Sequence, residues 1–169
     1  CDSTRSNDFN LGLNTSKAVY LPHEMAFPYR YILDKTVCSE SDQKKIIEAC
    51  KYNAIELNMK AKEKTVSVSS IVVATGWKPY DATKLDSLGY GRYKNVITNV
   101  IMERLSNPNG PTNGKILRPG DQKEIESIAF VQCAGSRDEN HLPFCSSVCC
   151  LASLKQAGYV REQYKDAKI

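Results

Sequence analysis

The residues best suited to chemistry in this chain are four cysteines between positions 133 and 150, in the stretch CAGSRDENHLPFCSSVCC. Four thiolates that converge on one point are what an iron–sulfur cluster or a structural zinc ion requires. The spacing therefore predicts a metal or redox site, and its candidate ligands are Cys133, Cys145, Cys149 and Cys150.

Other interpretations of the same cysteines stay open. Zinc ribbons usually use paired C-x2-C knuckles, which this segment lacks. Adjacent Cys149 and Cys150 are able to close a strained vicinal disulfide, and Cys133 with Cys145 would make a dithiol that acts on disulfides. The plainest alternative is that these side chains fill a core, where free cysteine packs well. His141, in the same loop, is interpreted as a polar loop residue rather than a ligand.

The elements around the cysteines are predicted to bring them together. SIAFVQCAG (127–135) has the composition of a buried strand, and SSVCCLASLKQAGYVREQY favours a helix that begins near Ser146 or Ser147. In an α/β sheet the end of a strand and the start of the next helix meet at one edge, so the sulfurs would converge. A helix N-terminus also stabilises negative charge, including that of thiolates.

The rest of the chain is predicted as mixed α/β structure. SIVVATG (70–76) is an apolar, β-branched run that ends at glycine, which is typical of a buried strand. AIEL and TVSV are predicted as shorter strands. Apolar periodicity predicts helices over 42–53 and 98–107, the second capped by Thr98 or Asn99. Residues 1–36 are predicted as loop, since prolines at 22 and 28 interrupt regular structure.

Composition narrows the class of protein. The chain has 169 residues, 41% hydrophobic and 25% charged, and a net charge of +4 without a basic stripe, so nucleic-acid binding is weakly supported. No apolar run approaches a membrane span, and no signal peptide is recognisable. Seven cysteines, with four of them clustered, favour a cytosolic metal or redox site over a secreted disulfide framework. Because the chain opens on Cys1 and lacks an initiator Met, we expect a fragment of a larger protein.

Several long segments carry a family resemblance. FVQCAGSRDENHLPFCSSVCCLASLKQA, IVVATGWKPYDATKLDSLGYGRYKNVITNVIMERL and GPTNGKILRPGD resemble the heterodisulfide reductase A subunit family. Within that family, NDFNLGLNTSKAVYLPHEMAFPYRYILD and YVREQYKDA resemble the branch found in the quinone-interacting membrane-bound oxidoreductase (Qmo) complex of sulfate reducers. The resemblance covers nearly the whole chain.

The resemblance implies a thioredoxin-reductase-like α/β core with two lobes that bind FAD and NAD(P), together with a degenerate ferredoxin-like insert. It implies that the four clustered cysteines hold a [4Fe–4S] cluster. It also implies contacts with FAD around the ATG motif, namely at Ala74, Thr75, Gly76, Trp77 and Pro79. The chain lacks the G-x-G-x-x-G turn that would hold the pyrophosphate, so we expect it to bind FAD poorly by itself.

One part of the chain departs from the family pattern. Relatives carry a C-x2-C-x2-C-x3-C run, which here falls on Glu40, Gln43, Ile46 and Cys50. We therefore expect no cluster at 40–50 and interpret Cys50 as a core residue on a helix face. Cys1 resembles the last cysteine of a preceding run, and Cys38 lies outside the pattern. The implied divisions are an insert remnant (1–62), part of the FAD lobe (63–108) and the start of a second nucleotide-binding-like lobe (109–169).

The implied function is electron transfer by an FAD- and iron–sulfur-dependent oxidoreductase subunit. The Qmo-like branch implies a relay between the quinone pool and adenylylsulfate reductase in sulfate respiration. Such a subunit would be cytoplasmic and would reach the membrane only through partner subunits. Two alternatives are an FAD-dependent thiol–disulfide oxidoreductase, which lacks the expected C-x-x-C here, and a cofactor-free interaction module.

Overall fold

The computed structural model describes all residues from 1 to 169, as two compact units, of which the first has strands and a helix and the second has helices and irregular chain. The first unit comprises residues 1–9 and 15–78, and the second comprises 10–14 and 79–169. No helix has both the length and the apolar character needed to cross a membrane. The elements are β1 (Thr4–Ser6), β2 (Thr15–Lys17), β3 (Val19–Tyr20), β4 (Ile32–Leu33), α1 (Glu40–Ala49), α2 (Asn99–Ser106) and α3 (Cys149–Gln163), with 3-10 turns at Ala82–Lys84 and Asp86–Leu88.

The first unit contains two small antiparallel sheets, β1–β2 and β3–β4. Arg5, on β1, ties them together: its Nε donates to Asp34 Oδ2 at 2.9 Å and its Nη2 to Asp8 Oδ2 at 2.7 Å. Its guanidinium also lies 4.4 Å from the centre of the Tyr20 ring. The prediction that residues 1–36 are loop is confirmed for most of these residues and was wrong at the four short strands. Strands of two or three residues are too short to show an alternation of apolar and polar residues in the sequence. The contacts of Arg5 with Asp34 and Tyr20 connect them.

Helix α1 begins where the sequence predicts a helix, and Asp42 anchors its start. The Ser39 side chain accepts from Asp42 N at 3.2 Å, which caps the first turn. Asp42 Oδ2 in turn accepts from Ser3 Oγ at 2.7 Å, Ser3 N at 2.9 Å and Asp2 N at 3.1 Å. These bonds, those of Ser3 first, lower the pKa of Asp42 from 3.8 to about 2. One carboxylate thus joins the chain before β1 to the helix.

The second unit is built on α2 and α3, both of which the sequence predicts. Thr98 caps α2 by accepting from Ile101 N at 3.3 Å. The buried Gln156 of α3 reaches across to α2, donating to Asn99 O at 3.0 Å and to Glu103 Oε1 at 2.9 Å. The hydrophobic core of this unit lies beside this pair of helices and consists of Met102, Ile116, Val160 and Ala167.

The end of α3 holds the segment around Ile116 by polar contacts. Gln163 Oε1 accepts from Ile116 N at 2.9 Å, and Gln163 Nε2 donates to Gly114 O at 2.8 Å. The Tyr164 hydroxyl donates to Ile116 O at 2.8 Å. The backbone of Ile116 therefore has both hydrogen bonds satisfied although it lies in no strand.

The predicted strands at 54–57, 65–68, 70–76 and 127–135 do not form. Ile71, Val72 and Val73 are exposed by 80%, 90% and 77%. The physical reason is that a strand is stable only when its backbone groups pair with a neighbour. In the predicted strand at 127–135, a single parallel bridge forms, between Ser127 and Lys168. The apolar pattern is present, but the partner strands are not.

We expect the first unit to lose stability in acid through Asp42. Its pKa is lower in the folded chain than the ordinary 3.8, so its contribution is complete above about pH 4. That contribution is lost as the pH falls toward about 2, because protonation weakens its bonds to Ser3 and Asp2. The free energy of unfolding, measured in urea between pH 5 and pH 2, should fall with pH for this reason. In the Asp42→Asn variant it should depend less on pH.

Glu40→Gln is the matched control, since Glu40 is an exposed carboxylate in the same first turn of α1. That variant should keep the slope of the unmodified chain. An equal acid slope in Asp42→Asn and the unmodified chain would show that other carboxylates carry the acid sensitivity.

Candidate metal centre

The four clustered cysteines lie on a loop and on the helix that follows it. Cys133 and Cys145 belong to irregular chain, whereas Cys149 and Cys150 form the first turn of α3, as the sequence predicts. Cys133 and Cys149 are half-buried, and Cys145 and Cys150 are exposed. None of the chain's cysteines forms a disulfide.

Backbone hydrogen bonds fold the loop between Cys133 and Cys145 back on itself. Leu142 N donates to Gly135 O at 3.1 Å, and Arg137 N donates to Phe144 O at 3.1 Å. Cys133 and Arg137 both take the left-handed backbone conformation, with φ of 54° and 57°. This double turn takes the place of the predicted strand, because it returns the chain toward Cys133 just before Cys145.

The thiol of Cys150 lies within electrostatic reach of the other three. Its pKa is raised above the ordinary value of 9.0, first by desolvation and then by Cys149, with further contributions from Cys133 and Cys145. Desolvation and neighbouring thiolates both oppose ionisation of a thiol, so both contribute to this direction. A cation bound among them would relieve the repulsion and would release their protons.

Hydrogen-bond donors surround the sulfurs. Ser147 N donates to Cys145 Sγ at 3.4 Å, and Arg137 Nη1 lies 4.0 Å from Cys133 Sγ. No side chain caps the start of α3 at Val148, so its first N–H groups are not taken by a capping oxygen. The positive end of the helix dipole and these donors all favour negatively charged sulfur at this place.

The donor set consists of four thiols, the residue type that binds an iron–sulfur cluster or a structural zinc ion. No three His, Cys, Asp or Glu side chains lie close enough to hold one metal ion. A [4Fe–4S] cluster binds each thiolate through a different iron, so its ligands stand farther apart than those of one zinc ion. Four thiols on one loop and the following helix turn, one of which accepts from an N–H group, have the chemistry that such a cluster requires.

The residues predicted to contact FAD form no site by themselves. The predicted contacts lie in irregular, exposed chain, and Gly76 has a φ of 72° with no atom within 4 Å of where a Cβ would stand. Two cavities, one around Met102 and Ile116 and one around Phe9 and Tyr20, are lined by other residues. The predicted contact residues therefore do not form a dinucleotide site in this structure. These residues are Ala74, Thr75, Gly76, Trp77 and Pro79.

The positions of the degenerate cysteine run lie on one helix. Glu40, Gln43 and Ile46 belong to α1, and Cys50 ends it. The interpretation of Cys50 as a core residue was wrong, because it is half-buried and accepts from Ala54 N at 3.4 Å. That hydrogen bond is the main cause that lowers its pKa. Cys38, by contrast, is buried, which raises its pKa.

Tyr80 is a contributor that the sequence analysis missed. Its hydroxyl bonds His141 Nδ1, and its ring lies so close to Gly135 that a Cβ there would come within 2.6 Å of it. Gly135 also needs its φ of 80°. Tyr80 thus contacts the double turn at Gly135 and at His141. In the sequence, the one signal of such close packing is Gly135 in the CAGS stretch.

Comparisons with known proteins relate the chain to heterodisulfide reductases. No protein-family model matches the chain. The chain is 39% identical over 173 residues to the first iron–sulfur A subunit of the CoB–CoM heterodisulfide reductase of Methanopyrus kandleri. The chain is homologous to heterodisulfide reductase A subunits. It is also 40% identical to the A subunit of the H(2)/formate:CoB-CoM heterodisulfide,ferredoxin reductase of Methanococcus maripaludis and 34% identical to the A subunit of the ferredoxin/F(420)H(2)-dependent CoB-CoM heterodisulfide reductase of Methanosarcina acetivorans.

The homology covers the whole chain but only part of each relative. All of this chain aligns in each of these comparisons, and it covers 26%, 26% and 21% of the three relatives. The chain therefore spans about a quarter of the length of these heterodisulfide reductase subunits. The relatives' names confirm the predicted family resemblance at the level of heterodisulfide reductase, and one of them names an iron–sulfur subunit.

We expect Tyr80→Ala to loosen the cysteine loop. It removes both the ring on Gly135 and the hydroxyl on His141, so amide exchange at Leu142 and Arg137 should quicken by about fivefold, the equivalent of about 1 kcal/mol. Tyr80→Phe keeps the ring and should cause a smaller change. Hydrogen–deuterium exchange followed by mass spectrometry measures both.

Tyr93→Ala provides the control. The Tyr93 ring packs on Gly89 in the second unit, just as the Tyr80 ring packs on Gly135 in that unit. Amide exchange in the 133–144 loop should be unchanged in the Tyr93→Ala variant. Equal quickening of the loop in the two alanine variants would mean that Tyr80 acts on the whole unit and not on the loop.

Proposed function

We propose that this chain is the iron–sulfur segment of an electron-transfer subunit in a heterodisulfide-reductase-like oxidoreductase. Its ligands to one [4Fe–4S] cluster are Cys133, Cys145, Cys149 and Cys150. The observation that supports this most is that the four cysteines lie within 18 residues, two on the folded loop and two in the first turn of the helix that follows it. Homology to subunits named for their iron–sulfur content supports the same assignment.

The residues of the site have separate tasks in this proposal. The cluster, when bound, supplies one-electron transfer. The cysteines hold it, while Ser147 N and the start of α3 offer N–H groups to sulfur. Exposure of Cys145 and Cys150 leaves one side open for an electron donor or acceptor. No side chain needs to act as a general acid or base, since the cofactor carries the chemistry.

The flavin belongs to the proposal for the whole protein. Residues 74–77 and 79 would contact FAD once the rest of a thioredoxin-reductase-like core surrounds them, and their likeness to the ATGWKPYDA motif supports this. The same core would divide the chain at 1–62, 63–108 and 109–169. The exposure of the apolar run at 71–73 supports the proposal that other parts of this core pack against these residues.

The finer proposal is a relay between the quinone pool and adenylylsulfate reductase, as in the Qmo complex. The likeness of NDFNLGLNTSKAVYLPHEMAFPYRYILD (7–34) and of YVREQYKDA to that branch supports it. Such a subunit would work in the cytoplasm, bound to membrane subunits. The relatives found by comparison are named for reduction of the CoB–CoM heterodisulfide, which is the competing acceptor.

The first test is the iron and acid-labile sulfide content of protein prepared without oxygen. We expect about four of each per chain, with the visible absorbance of a cluster. Cys149→Ser should lose most of both, because it removes one of four ligands from the first turn of α3. Circular dichroism should show that the helices survive.

Cys50→Ser is the matched control, since Cys50 lies outside the proposed ligand set. It should keep the full iron content. Unchanged iron in Cys149→Ser would sink the ligand assignment. Protein without iron but with a reversible Cys133–Cys145 disulfide would favour a thiol–disulfide oxidoreductase, and protein with neither would favour an interaction module.

The finer proposal has its own test in the whole complex. We expect the complex purified through this subunit to transfer electrons from a reduced quinone analogue to adenylylsulfate reductase, with release of sulfite and AMP from adenylylsulfate. It should turn over the CoB–CoM heterodisulfide at least about tenfold more slowly, because a different partner then binds the exposed side of the cluster. Rapid reduction of the heterodisulfide instead would overturn the sulfate-respiration role and leave the cluster assignment standing.

A further inference from the structure

Arg137 places a positive charge beside the candidate cluster. Its Nη1 is 4.0 Å from Cys133 Sγ and points a donor at that sulfur. It forms no ion pair, since the chain's salt bridges all involve other cations. No carboxylate therefore forms a salt bridge with this charge, which lies beside the Cys133 sulfur.

The backbone presents this side chain from a defined position. Arg137 has a φ of 57°, and its N–H donates to Phe144 O at 3.1 Å within the double turn. The carboxylate of the neighbouring Asp138 is engaged within the turn, where its Oδ1 accepts from Asn140 N at 2.8 Å. A left-handed, hydrogen-bonded residue in a closed loop loses less freedom when its side chain engages the sulfur.

We infer that Arg137 raises the reduction potential of the cluster held by Cys133, Cys145, Cys149 and Cys150. This rests on the proposed function. One-electron reduction adds a negative charge to the cluster and its thiolates, and a nearby guanidinium stabilises that charge more than it stabilises the oxidised form. Hydrogen bonds to ligand sulfur act in the same direction. Arg137 is a positioning residue in this role, because it touches a ligand and not the electron partner.

The test is a redox titration of the reconstituted full chain, followed by electron paramagnetic resonance, with dithionite supplying the electron. Arg137→Gln should keep the iron and sulfide of the unmodified chain but shift the midpoint to a more negative potential. Arg137→Lys should give an intermediate shift, because its ammonium keeps the charge but lacks the directed planar fork. The difference between the unmodified chain and Arg137→Gln should narrow at high salt, since Arg137 is exposed.

Lys123→Gln is the matched control, because it removes the same charge from an exposed side chain in another loop. Its midpoint should equal that of the unmodified chain. If Arg137→Gln carries a full cluster at an unchanged potential, or shifts no more than Lys123→Gln, the inference is overturned while the proposed function stands. If Arg137→Gln assembles no cluster, Arg137→Lys decides, and an unchanged midpoint there overturns the inference. An unmodified chain without iron overturns the proposed function and this inference together.

Discussion

The candidate metal centre depends on one electrostatic constraint, which is that thiols lying close together resist joint ionisation. The pKa of Cys150 is raised first by desolvation and then by Cys149, with further contributions from Cys133 and Cys145. Such an arrangement is unfavourable as four free thiolates and favourable around a cationic cluster. The surroundings of the sulfurs match this requirement, since the uncapped start of α3 and the donor at Ser147 both direct positive potential at them.

Polar side chains with directed hydrogen bonds hold the rest of the fold, because both units have small cores. In the second unit, four buried apolar residues form the core cluster, and Gln156 and Gln163 connect α3 to α2 and to the Ile116 segment. In the first unit, Asp42 and Arg5 have the same task. Small units bury too little apolar surface to be held by it alone, so buried polar bonds that are satisfied become decisive.

The apolar run at 71–73 is not buried in this structure. Its sequence suits the interior of a sheet, yet its side chains are largely exposed. The proposed FAD lobe would give these residues partner strands, which agrees with a chain that spans about a quarter of its relatives. The loop at 133–144 is folded without a sheet, through the hydrogen bonds of a double turn and the ring of Tyr80.

The sequence by itself determined the features that depend on residues near one another in the chain. The residue pattern located α1, α2 and α3 to within a few positions, a capping residue marked the start of α2, and cysteine spacing selected the candidate ligands. Only the tertiary structure decided the short strands joined by Arg5, the role of Gln163 and the packing of Tyr80 on Gly135. These contacts join residues that are distant in the chain, and no local pattern records them. The strand predictions failed for the same reason, because a strand's apolar pattern states what it needs to bury and not whether a partner is present.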